Sequence, residues 1–274
     1  MSAVWTIANK EMKDAVRSRW LLFYAVTFAV LALGLAYVGN QNLGSVGFEN
    51  FSRTTASLIN LCLLLVPLIA LSLGAGAIAG DQERGTLAYL LAQPLARWEL
   101  LAGKFAGLVL SVGTATIAGF GLAGVCIAFY ATTLDVGTYL LMLGLMLALT
   151  SVMIGIGMVV SVVSSSRAQA VSAALVVWFV AVLFFDLVLV GLVTGASLGG
   201  RALIATLLLN PVEIVRVLAI MHLEPDLTVL GPFGSYLAEE FGKSTATAVL
   251  IGALAVWIVA PISLATWAFN GRQS

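Results

Sequence analysis

Charge is scarce in this chain: of 274 residues only 13 are Lys or Arg and 13 are Asp or Glu, so the formal net charge is zero. A protein that grips nucleic acid neutralises phosphates with a basic face. This chain has no basic excess to supply one, and nucleic acid is not an expected partner. Histidine occurs once, at His222, and cysteine twice. Cys62 and Cys126 sit apart in apolar runs without a C-x-x-C pair or a Cys/His cluster, which indicates two small core residues rather than a disulfide framework or a zinc site. No H-E-x-x-H or paired intramembrane carboxylates are seen, so an intramembrane hydrolase of the metal or paired-acid type is not indicated. Gly242-Lys243-Ser244-Thr245 looks like the end of a phosphate-binding loop, but such a loop needs a glycine five positions earlier, where Leu237 stands.

What the chain has in quantity is apolar surface. With 61% hydrophobic residues and a mean hydropathy of +1.08, it would expose far more of it to water than a folded soluble domain does. The expected fold is an all-α membrane protein, a single transmembrane domain over residues 1–274 with six spans, at about 20–39, 57–80, 105–130, 137–163, 170–194 and 245–269. The first run follows Lys10, Lys13, Arg17 and Arg19, like the head of a signal peptide. Trp20 to Gly39 is too long for one: about 20 residues at about 1.5 Å each cross about 30 Å of hydrocarbon. Ahead of it, Trp5, Ala8, Met12, Ala15 and Val16 recur at helical spacing, which predicts an amphipathic helix in the membrane interface. Asn40 to Ala56, with Gly44, Gly47 and Asn50, reads as a polar loop. Pro67 predicts a kink in the second span, and Gly74, Gly76 and Gly80 include a small-xxx-small pair that admits another helix. Residues 131–136 form a turn, and 164–169 a short polar reversal. In the outer segment, about 195–244, Asn210 caps a helix with Pro211 at its first position and Glu213 at its third.

The stretch between the second and third spans carries the densest polar signal. Leu87, Leu90 and Leu91 fall on one helical face, Asp81, Glu83 and Arg84 charge its start, Gly85 permits a sharp entry, and Pro94 ends it. The expectation is a short helix over Asp81 to Pro94 that offers an apolar face, rimmed by charge, to a partner's groove. A second amphipathic run, with Leu95, Trp98, Leu101 and Phe105 on one side and Arg97, Glu99 and Lys104 on the other, is expected to lie in the interface. Six spans put both termini on one side. That side holds nine Lys and Arg, namely Lys10, Lys13, Arg17, Arg19, Arg84, Arg97, Lys104, Arg167 and Arg272, against four (Arg53, Arg201, Arg216 and Lys243) on the other. The positive-inside bias then makes it cytoplasmic.

Gly80-Asp81-Gln82-Glu83-Arg84-Gly85-Thr86-Leu87, followed by Leu90-Leu91, Pro94 and Gly103-Lys104-Phe105, closely resembles the first cytoplasmic loop of permease subunits of the type 2 ABC transporter family. A narrower resemblance, in Trp5-Thr6-Ile7-Ala8-Asn9-Lys10-Glu11, in Arg17-Ser18-Arg19-Trp20 and in Leu209-Asn210-Pro211, is to the permeases that serve nitrous oxide reductase maturation. The family resemblance implies a permease in the bacterial inner membrane, assembled as two copies with two cytoplasmic ATPase subunits. ATP and Mg would be bound by the ATPase and no cofactor by this chain. The Asp81 to Pro94 stretch would be the coupling helix that couples ATP hydrolysis to substrate movement. The narrower one implies that a sulfur species or another component for copper-site assembly is handed to a periplasmic accessory protein.

Asp186 is the one carboxylate well inside a span. It admits two readings, a pathway or gating group, since intramembrane charge is costly, or an interfacial residue, since Phe184, Phe185, Leu187 and Val188 beside it offer no partner. An ion-coupled secondary transporter or channel built on Asp186, and a membrane scaffold that transports nothing, are the alternative functions. Met142, Met146 and Met153 on the fourth span, and Met221 beside His222, are soft-metal candidates, though methionine more often fills gaps between helices.

Overall fold

The computed structural model describes residues 3–17, 22–27, 29–31, 33–34, 48–130, 136–188, 200–223 and 242–271, and among these there is no strand. The helices are α1 (Ala3–Val16), α2 (Phe48–Glu83), α3 (Thr86–Leu91), α4 (Arg97–Tyr130), α5 (Val136–Val163), α6 (Arg167–Trp178), α7 (Gly200–Leu208), α8 (Pro211–Leu223) and α9 (Gly242–Gly271). The α6 helix runs on through a π-helical turn at Phe179–Phe184. Five helices are long and apolar enough to cross a membrane: Ser57–Glu83, Arg97–Val125, Val136–Val163, Arg167–Val188 and Gly242–Gly271. The span expected over 20–39 is represented by a shorter apolar helical stretch, Leu22–Leu31, with helical residues 33–34 beyond it, and residues 20–21 and 35–39 lie outside the described residues. So do residues 131–135 of the turn expected at 131–136, residues 189–199 and 224–241, and the side chain of Cys126.

Three boundaries differ from expectation. Residues 48–56, read as loop, are helical and begin α2, because no proline or glycine stands between Gly47 and the second span. Asp81, Gln82 and Glu83 are the last turn of α2 rather than the first of a separate helix. The amphipathic run after Pro94 is no independent interfacial helix. From Arg97 it is continuous with the third span, since no proline interrupts the ladder before Tyr130.

The centre of the molecule is the crossing of α2 and α5. Both are 61% buried over their most apolar windows, against 11% for Arg167–Val188 and 22% for α9, which are therefore peripheral in the single chain. The crossing is tight because two glycines meet there. A β-carbon on Gly74 would stand 2.5 Å from Ile154 O, and one on Gly157 would stand 2.5 Å from Leu71 O. Without a hydrophobic drive between helices in lipid, such close backbone approach is a main source of association. The Gly76 and Gly80 pair, expected to admit a helix, instead lies under the Arg167 side chain, its guanidinium over Gly76 and its Cδ over Gly80. A second close approach seats α1 on α4, where β-carbons at Gly103 and Gly107 would strike Ile7 and Ala8. The face of α1 that packs is thus Val4, Ile7, Ala8 and Glu11, while Trp5 is 52% exposed.

Candidate functional site

Asp81 is the hub where α2 ends. Its carboxylate lies 2.7 Å from Lys104 Nζ and 2.8 Å from Arg84 Nη2, and it accepts a hydrogen bond from Thr86 Oγ1 at 3.1 Å. Thr86 also donates to the Asp81 carbonyl at 3.2 Å, so one residue fixes both the end of α2 and the start of α3. Between them Gly85 turns the chain at φ 71°, a left-handed conformation that side chains with a β-carbon resist. Glu83 reaches across to accept the backbone N–H of Arg167 at 2.9 Å, which ties the end of the second span to the start of the fifth.

Lys104, expected on the polar side of its helix, is the most buried cation among the described residues, with 2% of its side chain exposed. It is stable there because two carboxylates neutralise it, Asp81 at 2.7 Å and Glu11 of α1 at 2.6 Å. The ends of α2 and α4, the helix α1 and the entry to α3 are therefore held by one ion network. Its member from α1, Glu11, is 93 residues away in sequence, and sequence reasoning missed it. The signal was there in the Gly103-Lys104 pair followed by Gly107, which marks a cation set into a close helix contact.

The leucines of α3 do not face outward as expected. Leu87 belongs to the core and Leu90 and Leu91 pack against it, because six residues are too few to form a stable helix unless one face is buried. What α3 presents is Tyr89, 79% exposed, flanked by Ala88, Thr86, Arg84 and Glu83. Pro94 stands in the non-helical link to α4, whose first turn is closed by Glu99 Oε2 accepting the Ala96 N–H at 2.9 Å.

On the other side of the bundle the structure supplies Asp186 with the partner its neighbours in sequence lack. Arg216 of α8 donates to both of its oxygens, at 2.5 and 3.0 Å, and the same Nη1 lies 2.8 Å from Glu213 Oε1. Two carboxylates thus share one guanidinium, a pairing joined across 30 residues and invisible to local inspection. Asn210 links the same elements. Its Oδ1 accepts the Val212 N–H at 3.0 Å, the expected cap of α8, and its Nδ2 donates to Ala181 O at 2.6 Å within the π turn. Replacing Asn210 by Ala leaves a buried N–H and a buried carbonyl without partners. We expect a loss of about 1–3 kcal/mol, read as a lower unfolding midpoint in mixed micelles.

The soft-metal candidates are not brought together. Met142, Met146 and Met153 are fully buried as core filling, and the His222 ring bonds the Leu218 carbonyl of its own helix at 2.8 Å. Among the described residues no group of three or more His, Cys, Asp or Glu is placed to hold a metal.

The arrangement is that of a helical bundle with one ion network at Asp81 and another at Arg216. The family model for ABC-2 family transporter proteins matches residues 5–273. A relative from Pseudomonas aeruginosa, called "Probable ABC transporter permease protein NosY", is 37% identical over 278 residues, covering 99% of each chain. One from Stutzerimonas stutzeri with the same name is 36% identical, again over 99% of each. Matched along almost its whole length, this chain belongs to the ABC-2 transporter permease family.

Proposed function

We propose that this chain is the membrane half of an ATP-driven transporter in the bacterial inner membrane, with both termini cytoplasmic, working as two copies with two ABC ATPase subunits that bind the ATP and Mg. The observation that carries the reading is the anchoring of α3. A spanning helix has its backbone groups already satisfied and little with which to grip a soluble partner, so work from a cytoplasmic motor must enter through an ordered element outside the bilayer. The Asp81 to Pro94 stretch is such an element, and the Asp81, Lys104 and Glu11 network passes any displacement of it to α1, α2 and α4 together. The contact surface is the exposed side of α3 at Tyr89, with Glu83, Arg84, Gly85 and Thr86 at its root. Leu87, Leu90 and Leu91 hold that surface to the bundle from below, and Pro94 closes the element.

The narrower proposal concerns the cargo: a sulfur species or another component for maturing the copper site of nitrous oxide reductase, passed to a periplasmic accessory protein. The two relatives named NosY support it, as do the amino-terminal and Leu209-Asn210-Pro211 signatures.

Tyr89→Glu is the direct test. An exposed aromatic at the centre of an interface commonly carries at least about 2 kcal/mol, so ATPase retained on the purified permease should fall by at least about tenfold while membrane insertion is unchanged. Undiminished co-purification and coupled transport, or labelling of residue 89 from the periplasmic side, would overturn the reading.

A further inference from the structure

The cluster on α8 differs from the network at Asp81 in one respect that matters. At Asp81 two carboxylates meet two cations, Lys104 and Arg84, whereas here two carboxylates, Asp186 and Glu213, meet the one cation Arg216. Glu213 is 4% exposed, and its Oε1 accepts no hydrogen bond although Arg216 Nη1, which donates to Asp186, is 2.8 Å away. Asp186 and Glu213 are within hydrogen-bonding reach of each other. With both ionised, the cluster carries an uncompensated negative charge among apolar helices, which costs several kcal/mol. One shared proton removes the excess and supplies the missing hydrogen bond.

Among the described side chains of the elements packed against the cluster, no other charge intervenes. The α5 helix carries only Tyr139 as an ionisable side chain, residues 57–80 of α2 only Cys62, α9 only Lys243 in its exposed first turn, and residues 204–208 of α7 none. On α8 itself His222 is turned to Leu218 O. Asp186, with 37% of its side chain exposed, gives the proton a way in.

We propose that Asp186 and Glu213, gathered on the guanidinium of Arg216, form a proton-binding site that latches α8 to the fifth span, closed with one proton bound and loosened when it leaves. Burial, with the neighbouring Asp186 adding to it against the pull of Arg216, pushes the Glu213 carboxyl up to about 8. A folded-state value raised above the ordinary one means that the latch is at full strength below the ordinary carboxylate range and is lost as pH rises through about 8. The latch adjoins, without lining, a cleft of about 590 Å³ between the fifth span, α5 and α9, whose wall includes Phe185 and Pro211, one and two residues from Asp186 and Glu213, with Val177, Asn210 and Trp257. Its release would therefore act on that opening. None of this depends on the ATPase reading, since it concerns the chain alone.

The test uses the full-length chain in lipid nanodiscs. Infrared difference spectra from about pH 6 to about pH 10 should show a protonated carboxyl band that disappears with a midpoint near 8. The band should be absent in Glu213→Gln, and in Asp186→Asn its midpoint should move down by about one pH unit or more, because one carboxylate then faces one guanidinium. Amide exchange in α8, measured as the ratio of the original protein to Glu213→Gln, should be near one at about pH 4, rise by at least about tenfold towards about pH 8, and level off above it. A band missing from the original protein, a band that persists unchanged in Glu213→Gln, or an exchange ratio that does not move with pH would overturn the proposal. Should Glu213→Gln fail to fold, the downward shift in Asp186→Asn decides, and its absence counts against the site.

Discussion

Replacing Lys104 by Met is expected to cost about 3–5 kcal/mol, the usual consequence of removing one partner from a buried ion pair and leaving the other charged. Here two carboxylates are stranded, Asp81 with 5% and Glu11 with 14% of their side chains exposed. Arg84 remains on Asp81 but its own side chain is 62% exposed, so it replaces little of the loss. Unfolding in mixed micelles should show the midpoint fall, and α1 should become accessible to proteases because Glu11 is its charged tether to α4. The charge account makes a second demand. Adding Asp81→Asn and Glu11→Gln to Lys104→Met should recover most of the stability, since a neutral cluster has no unpaired ion to bury. A single variant as stable as the original, or a triple variant worse than the single one, would show that the network is not what holds these helices.

Gly157→Ala is the second large effect, from one methyl group. That carbon would lie 2.5 Å from Leu71 O, 3.0 Å from Ala75 N and 3.0 Å from Gly74 Cα, all backbone atoms that no rotamer change can move. The helices α2 and α5 must then separate along the centre of the bundle. Overpacking of this kind costs about 1–3 kcal/mol, and Gly157→Leu should exceed it. The control is on the same helix: Gly144 has nothing within 4 Å of its added carbon, and Gly144→Ala should be neutral or slightly stabilising because alanine is the better helix former. Equal unfolding midpoints for Gly157→Ala and Gly144→Ala would refute the close crossing.

Spans were legible in the sequence because an apolar run long enough to cross a bilayer has few alternative uses. The turn at Gly85 was legible too, since only a residue without a β-carbon enters it freely, and Asn210 announced the start of α8 by its side-chain chemistry. What periodicity does not carry is which neighbour a face meets. Leu87, Leu90 and Leu91 mark one side of α3 as apolar equally well whether that side rests on its own bundle or on a partner. Lys104 looked solvated because the carboxylates that keep it inside come from residues 81 and 11. Asp186 looked solitary because its arginine is on another helix. Charge pairing across helices is set by the tertiary fold, and a single sequence shows the charges without the pairing.

The π turn at Phe179–Phe184 has an effect beyond its own six residues. A π turn inserts one residue into an α ladder, and at 3.6 residues per turn that rotates all later side chains by about 100° about the axis. Asp186 is the second residue after it. The widened turn is thus a phase adjuster: it sets the compass bearing at which the carboxylate leaves its helix, while Asn210 occupies the Ala181 carbonyl within the same turn. Shortening this turn by one residue would keep the composition of the span almost intact and yet point Asp186 away from Arg216.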